Sequence, residues 1–124
     1  VEDNVTVHVD HGTACIVGED VTIGHNAVIH ACTIGDGCLV GMGAVIMSRA
    51  EIGAQSIVGA GALVTEGKSF PPRSLIIGSP ARAVRTLTDE EVENVRRNAE
   101  FYVGLAREAC RDYAEVIPAG TGCV

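Results

Sequence analysis

Residues 34–64, IGDGCLVGMGAVIMSRAEIGAQSIVGAGALV, decide the fold, because their aliphatic residues keep a six-residue beat. Ile34, Val40, Ile46, Ile52, Val58 and Val64 mark it, and Val17 and Ile23 extend it toward the N-terminus. A glycine follows most beats (Gly18, Gly24, Gly35, Gly41, Gly53, Gly59). Four residues after each beat stands a small or modest side chain: Val21, Ala27, Cys38, Ala44, Ala50, Ser56 or Ala62. An α-helix repeats about every 3.6 residues and a strand every two, so neither yields this spacing. A parallel β-helix does, each hexad supplying one short face of a coil.

Bulk properties agree. The 124 residues make one domain, long enough to bury a core. Hydrophobic residues are 47% of the chain, yet only two Phe, two Tyr and no Trp occur, which suits stacked aliphatics rather than aromatic packing. A net charge of −7 without a basic run excludes nucleic acid and anionic membrane as partners. No apolar stretch approaches the roughly 18 residues of a membrane helix and no signal peptide pattern is present, so the expected compartment is the cytoplasm.

The five cysteines follow the beat rather than a metal or disulfide pattern. Counted backward, the beat gives starts at 11 and 5, which puts Cys15 four residues after a start. Cys38 also falls there, and Cys32 does if Val28 is a start. These three read as compact packing residues in the inward slot. An odd count and the lack of a secretory signal argue against disulfides. Cys110 and Cys123 are uninformative.

Three segments and a tail follow. Residues 1–65 are the coils, and residues 66–86 (EGKSFPPRSLIIGSPARAVRT) hold three of the four prolines and read as a crossing segment that leaves the stack. Residues 87–114 read as a helix: Thr88 followed by Asp89, Glu90 and Glu91 forms a capping box. Val92, Val95, Ala99, Tyr102, Ala106, Ala109 and Tyr113 draw its apolar stripe. Residues 115–124 read as a loose tail. Fewer than four coils give a stack of roughly 17–19 Å, whereas the helix would span roughly 37 Å. The helix should therefore overhang the coils by about half its length, and further coils are expected before Val1.

The histidines carry the chemistry. His11 falls on a start beside a loop-like HGT and reads as a solvated or corner residue. His25 and His30 stand five residues apart, where the beat loses one residue between Ile23 and Ile34. The short hexad begins either at Ile23 or at Val28/Ile29. Either way the two imidazoles take matching places on adjacent faces, where side chains diverge, so one subunit does not easily close both around one ion. His8 precedes His25 by 17 residues, close to one coil, and belongs to the adjacent layer. Prisms packed about a threefold axis would let three imidazoles meet, two from one chain and one from the next. Three nitrogen ligands and an open position for water make the pattern of a catalytic zinc site. The plainer alternative is three surface histidines on an exposed face.

The strings DNVTVH (3–8) and IGHNAVIH (23–30) resemble the gamma-class carbonic anhydrase family, within it the short branch that lacks the acidic loop and is often labelled transferase-like. CTIGD (32–36), VGMGA (40–44), GSPA (78–81) and NAEFYV (98–103) continue the resemblance over nearly the whole chain. The three-histidine spacing is its specific part, because hexapeptide acyltransferases also carry Gly-Ser-Pro-Ala.

The resemblance implies an all-β left-handed parallel β-helix with one C-terminal α-helix, forming a homotrimer with metal sites between subunits. It assigns His8 and His30 to one chain and His25 to its neighbour, holding zinc, with iron(II) or cobalt(II) as alternatives. It implies a carbonic anhydrase, a lyase that reversibly hydrates carbon dioxide to bicarbonate through a metal-bound hydroxide. The family usually has Gln where Glu2 stands, close to the metal-bound solvent, followed by Asp at the place of Asp3. Glu2 thus swaps a neutral hydrogen bonder for an anion that could accept a proton or repel bicarbonate. Tyr102 matches a tyrosine that the short branch directs from its terminal helix toward the metal. An upstream Arg in an Arg-Gly-Asp stretch and the loop bearing an acidic proton shuttle have no counterpart here. Two other readings share the fold: a coenzyme A-dependent acyltransferase and a catalytically silent structural subunit.

Overall fold

The computed structural model describes residues 1–114. Strands of mostly two or three residues wind into coils whose three faces are three parallel sheets. One face stacks β1 (Thr6–His8), β4 (Val28–His30), β7 (Val45–Ile46) and β10 (Leu63–Val64). The second stacks β2 (Ile16–Val17), β5 (Thr33–Ile34), β8 (Glu51–Ile52) and β11 (Ser69–Phe70). The third stacks β3 (Thr22–Ile23), β6 (Leu39–Val40), β9 (Ile57–Val58) and β12 (Ser74–Gly78), which turns back through the antiparallel β13 (Ala81–Thr86). The chain is thus a parallel β-helix with a single C-terminal helix, α1 (Asp89–Ala114).

The beat residues point inward and stack in register. Val7, Ile29, Ile46 and Val64 form one column, and Ile23, Val40, Val58 and Ile76 another. Ile29, Ile46, Val58, Val64 and Ile76 are completely buried. In the first coil, at the end of the stack, the inward Val7 remains 54% exposed. Small residues fill the corners beside these columns, where little volume is left: Ala27, Cys38, Ala44, Ala50, Ser56 and Ala62 are buried. Cys32 and Cys38 are buried free thiols and Cys15 a half-buried one packed on the core. Burial pushes the Cys32 thiol up to about 12 and also raises that of Cys38, which suits packing rather than thiolate chemistry. Cys110 on α1 is disulfide-bonded, against the expectation of no disulfide. The glycines after the beats sit where one coil passes close over the next. A Cβ on Gly41 would lie 2.4 Å from the Ala60 backbone nitrogen.

One alternative left open by the sequence is decided, and two details differ from its pattern. Ile29 is the inward residue after Ile23, so the short hexad runs from Ile29 to Ile34, and the lost residue falls at the corner after His30. Ala31 turns that corner with φ +46°, a conformation that disfavours L side chains. The first coil does not follow the backward count. Val7, in register with Ile29, takes the beat position, Val5 packs on the core two residues before it, and an Asp10–Thr13 bridge closes a loop that holds the exposed His11. Finally, parallel pairing continues past residue 65. Phe70 lies in register with Ile52 and Ile76 with Val58, so the chain leaves the stack only after β12. Phe70 keeps the beat with an aromatic ring in the last layer of its column, where it is half-buried.

The helix starts as its sequence dictates. The Glu91 N–H donates to the Thr88 hydroxyl at 3.2 Å, and the Thr88 N–H donates to the Glu91 carboxylate at 2.9 Å. Val95 and Ala99 of the stripe are buried, whereas Tyr102, Ala106 and Ala109 are exposed. A helix of 26 residues spans about 39 Å, and four stacked layers only about 14–19 Å, so among the described residues it is longer than the stack. The tail, residues 115–124, lies outside the described residues. No helix among the described residues is long and apolar enough to cross a membrane.

Candidate metal centre

His8 and His30 are the last residues of β1 and β4 and lie directly in register. Because Val7 and Ile29 point inward, strand alternation turns both imidazoles outward on the same face. His8 Nδ1 and His30 Nε2 lie 3.2 Å apart, and the rings stack at 28° with centroids 5.0 Å apart. Two ligands of a tetrahedral ion with metal–nitrogen bonds of about 2.0–2.1 Å stand roughly 3.3–3.4 Å apart. The pair therefore matches two corners of such a site.

Two residues that the sequence pattern did not single out complete the cluster. The other nitrogen of His30, Nδ1, lies 3.0 Å from the Ser48 hydroxyl, which donates to Asp10 Oδ2 at 2.6 Å. Asp10 Oδ2 is also 3.7 Å from His30 Nδ1. The hydrogen bond from the Ser48 hydroxyl, above all, holds the Asp10 carboxyl below the usual carboxylate range. Among the described residues, His8, Asp10 and His30 form the group whose donor atoms could surround one ion. Asp10 follows His8 by two residues, but the coil above His30 is 17 residues long, so Ser48, 18 residues on, is found only from the register.

His25 stands elsewhere. It occupies the corner after β3, outside the group formed by His8, Asp10 and His30. Its ring faces the chain's first residues, with Nε2 3.9 Å from a Glu2 carboxylate oxygen and Nδ1 3.9 Å from one of Asp3. Glu2 is held there by the coil, its N–H donating to the Ile23 carbonyl at 2.9 Å. Glu2, His25, Asn98 and Tyr102 border one cavity of about 370 Å³ between the third face and α1. Each chain thus carries two separate constellations, one of His8, His30, Asp10 and Ser48, the other of His25, Glu2, Asp3 and Tyr102.

Residues 31–66 match the bacterial transferase hexapeptide (six repeats) family, whose repeats indicate a left-handed β-helix. A protein named "Probable carbonic anhydrase" from Methanocaldococcus jannaschii is 49% identical over 106 residues, which are 86% of this chain and 67% of that protein. The mitochondrial gamma carbonic anhydrase 2 of Arabidopsis thaliana is 36% identical over 86% of this chain and 41% of its own length. The crystal structure of a hexapeptide transferase family protein from Anaplasma phagocytophilum superposes with a TM-score of 0.76 at 38% identity, covering 86% of this chain and 62% of that one. The chain therefore spans about two fifths to two thirds of these relatives. With its hexapeptide coils and this identity to carbonic anhydrase homologues, the chain belongs to the gamma carbonic anhydrase-like family of hexapeptide-repeat proteins.

Proposed function

We propose that the chain forms a homotrimer in which His8 and His30 of one copy and His25 of the next hold a metal ion, and that this centre reversibly hydrates carbon dioxide to bicarbonate. The observation that carries this reading is the 3.2 Å approach of His8 Nδ1 and His30 Nε2 on an outward face. A third imidazole is needed, and among the described residues His25 does not gather with His8 and His30 within one copy. A threefold assembly would juxtapose the two constellations through heterologous interfaces, one face of each copy meeting a different face of the next. Zinc suits three imidazoles best, and iron(II) or cobalt(II) fits the same donors.

When bound, the ion supplies the Lewis acidity that lets water lose a proton near neutral pH and add to carbon dioxide. Three neutral imidazoles leave the ion's positive charge undiminished, which is what that chemistry requires. Glu2 borders the cavity beside His25, where its carboxylate would either accept a proton or repel bicarbonate. Asp3 faces the opposite nitrogen of His25 and orients the ring. Tyr102, reaching the same cavity from α1, offers its hydroxyl to an oxygen of substrate or product.

Two alternatives remain in view. An acyltransferase using coenzyme A would share the hexapeptide coils, but it needs one general-base histidine and leaves the His8–His30 pair without a purpose. A silent homologue that binds metal without turnover is favoured by one residue, the Glu2 carboxylate in place of the family's amide. Metal analysis of the purified protein, with carbon dioxide hydration assayed on wild type and His30→Ala, separates these. About one ion per subunit with hydration activity, both lost in His30→Ala, supports the proposal. A metal-free wild type would sink it, and bound metal without hydration would favour the silent homologue.

A further inference from the structure

We infer that Ser48 and Asp10 are positioning residues that lock His30 in the tautomer bearing its proton on Nδ1, so that Nε2 is the bare nitrogen offered to an ion. The inference rests on the metal-binding reading of His8 and His30. Its argument is the direction of a hydrogen-bond chain. An ionised carboxylate only accepts, so at the Asp10–Ser48 contact of 2.6 Å the hydroxyl must be the donor. With its single proton spent on Asp10, Ser48 Oγ can only accept from His30 Nδ1, 3.0 Å away. Nδ1 must therefore carry hydrogen, and in a neutral ring Nε2 then has its lone pair free. That lone pair faces His8 Nδ1 at 3.2 Å.

The scaffold fixes each member of this chain. His30 ends β4 and Ser48 follows β7, the strand stacked directly above it on the same face. Asp10 begins the loop closed by the Asp10–Thr13 bridge, two residues beyond His8. Three successive layers of the β-helix thus each contribute one group. Ligating histidines commonly give their second ring N–H to such a partner, and loss of the partner costs roughly 10–100-fold in metal affinity. Asp10 accordingly supports a ligand instead of acting as one.

The test uses the 124-residue protein and zinc. Long-range proton–nitrogen NMR of metal-free protein above neutral pH reads the His30 tautomer, and chelator competition reads zinc affinity. Wild type should show Nδ1–H at His30. Ser48→Ala and Asp10→Asn should both shift the tautomer toward Nε2–H and weaken zinc about 10–100-fold, whereas Ser48→Thr, which keeps the hydroxyl, should restore both. An Nε2–H ring in wild type overturns the inference, as does an unchanged tautomer and affinity in Ser48→Ala. Zinc abolished by Asp10→Asn but retained by Ser48→Ala would also overturn it, by making Asp10 a direct ligand. A wild type that takes up no zinc refutes the metal reading instead, and the tautomer in the metal-free protein then decides the relay by itself.

Discussion

His8 and His30 end adjacent strands of one face, in register, with facing nitrogens 3.2 Å apart although 22 residues separate them in the chain. That contact exists because the first coil is longer than the rest. The loop after β1 adds the extra residues, and the strand stacked above His8 becomes the one that carries His30 rather than the corner that carries His25. His25 is left at another edge of the prism, beside Glu2 and Asp3.

Replacing His25 should remove metal without harming the scaffold. Its side chain is 41% exposed and contributes to no packing column. His25→Ala is expected to leave the melting temperature within a few degrees of wild type, as surface substitutions do, while bound metal falls to background. Ile46→Ala is the contrast: this completely buried residue should cost about 2–5 kcal/mol in denaturant unfolding. A His25→Ala protein that fails to fold would place the residue wrongly.

The attachment of α1 should weaken in acid. Arg85, hydrogen-bonded at 2.7 and 2.8 Å, and then the Thr88 N–H lower the Glu91 carboxyl from 4.5 to about 2. A depressed carboxyl stabilises the fold above its unfolded value and loses that contribution as pH falls through its folded value. The loss should therefore develop from about pH 4.5 down to about pH 2. Far-ultraviolet circular dichroism against pH checks this: Glu91→Gln should flatten the change across that window, and an equal pH dependence in the variant would contradict it.

Glu2→Gln should raise turnover of bicarbonate. The carboxylate lies 3.9 Å from the His25 ring nitrogen and borders the same cavity, where a second anion is disfavoured. An amide removes that repulsion while keeping a hydrogen-bonding group. In the dehydration direction kcat/KM should increase about tenfold, the effect of roughly 1.4 kcal/mol. A drop would instead mean that the carboxylate serves as the proton acceptor.

The β-helix was legible because its core is columnar: one aliphatic per face per coil leaves a direct trace in the sequence. The trace failed where the columns admit other residues. Phe70 and Ile76 keep the six-residue spacing from Val64, but the aromatic ring and the following Pro71-Pro72 disguised it. It failed again at the loop between His8 and Cys15, where length is not set by the prism, so the inward residue of the first coil had to be found from pairing. The histidines themselves stood out by type and spacing. Their supports did not, since Asp10 and Ser48 are 38 residues apart and meet only once the register of three layers is known.

The most direct test of a site shared between copies is to mix His25→Ala with His30→Ala. Each variant alone lacks a ligand at every interface, but an interface between an intact His8–His30 pair and an intact His25 is complete again. Unfolding and reassembling equal amounts should restore bound zinc to about a quarter of the wild-type level, the share of complete interfaces under random assembly into closed trimers. Zinc that stays at background in the mixture, with trimers formed, would contradict the shared site.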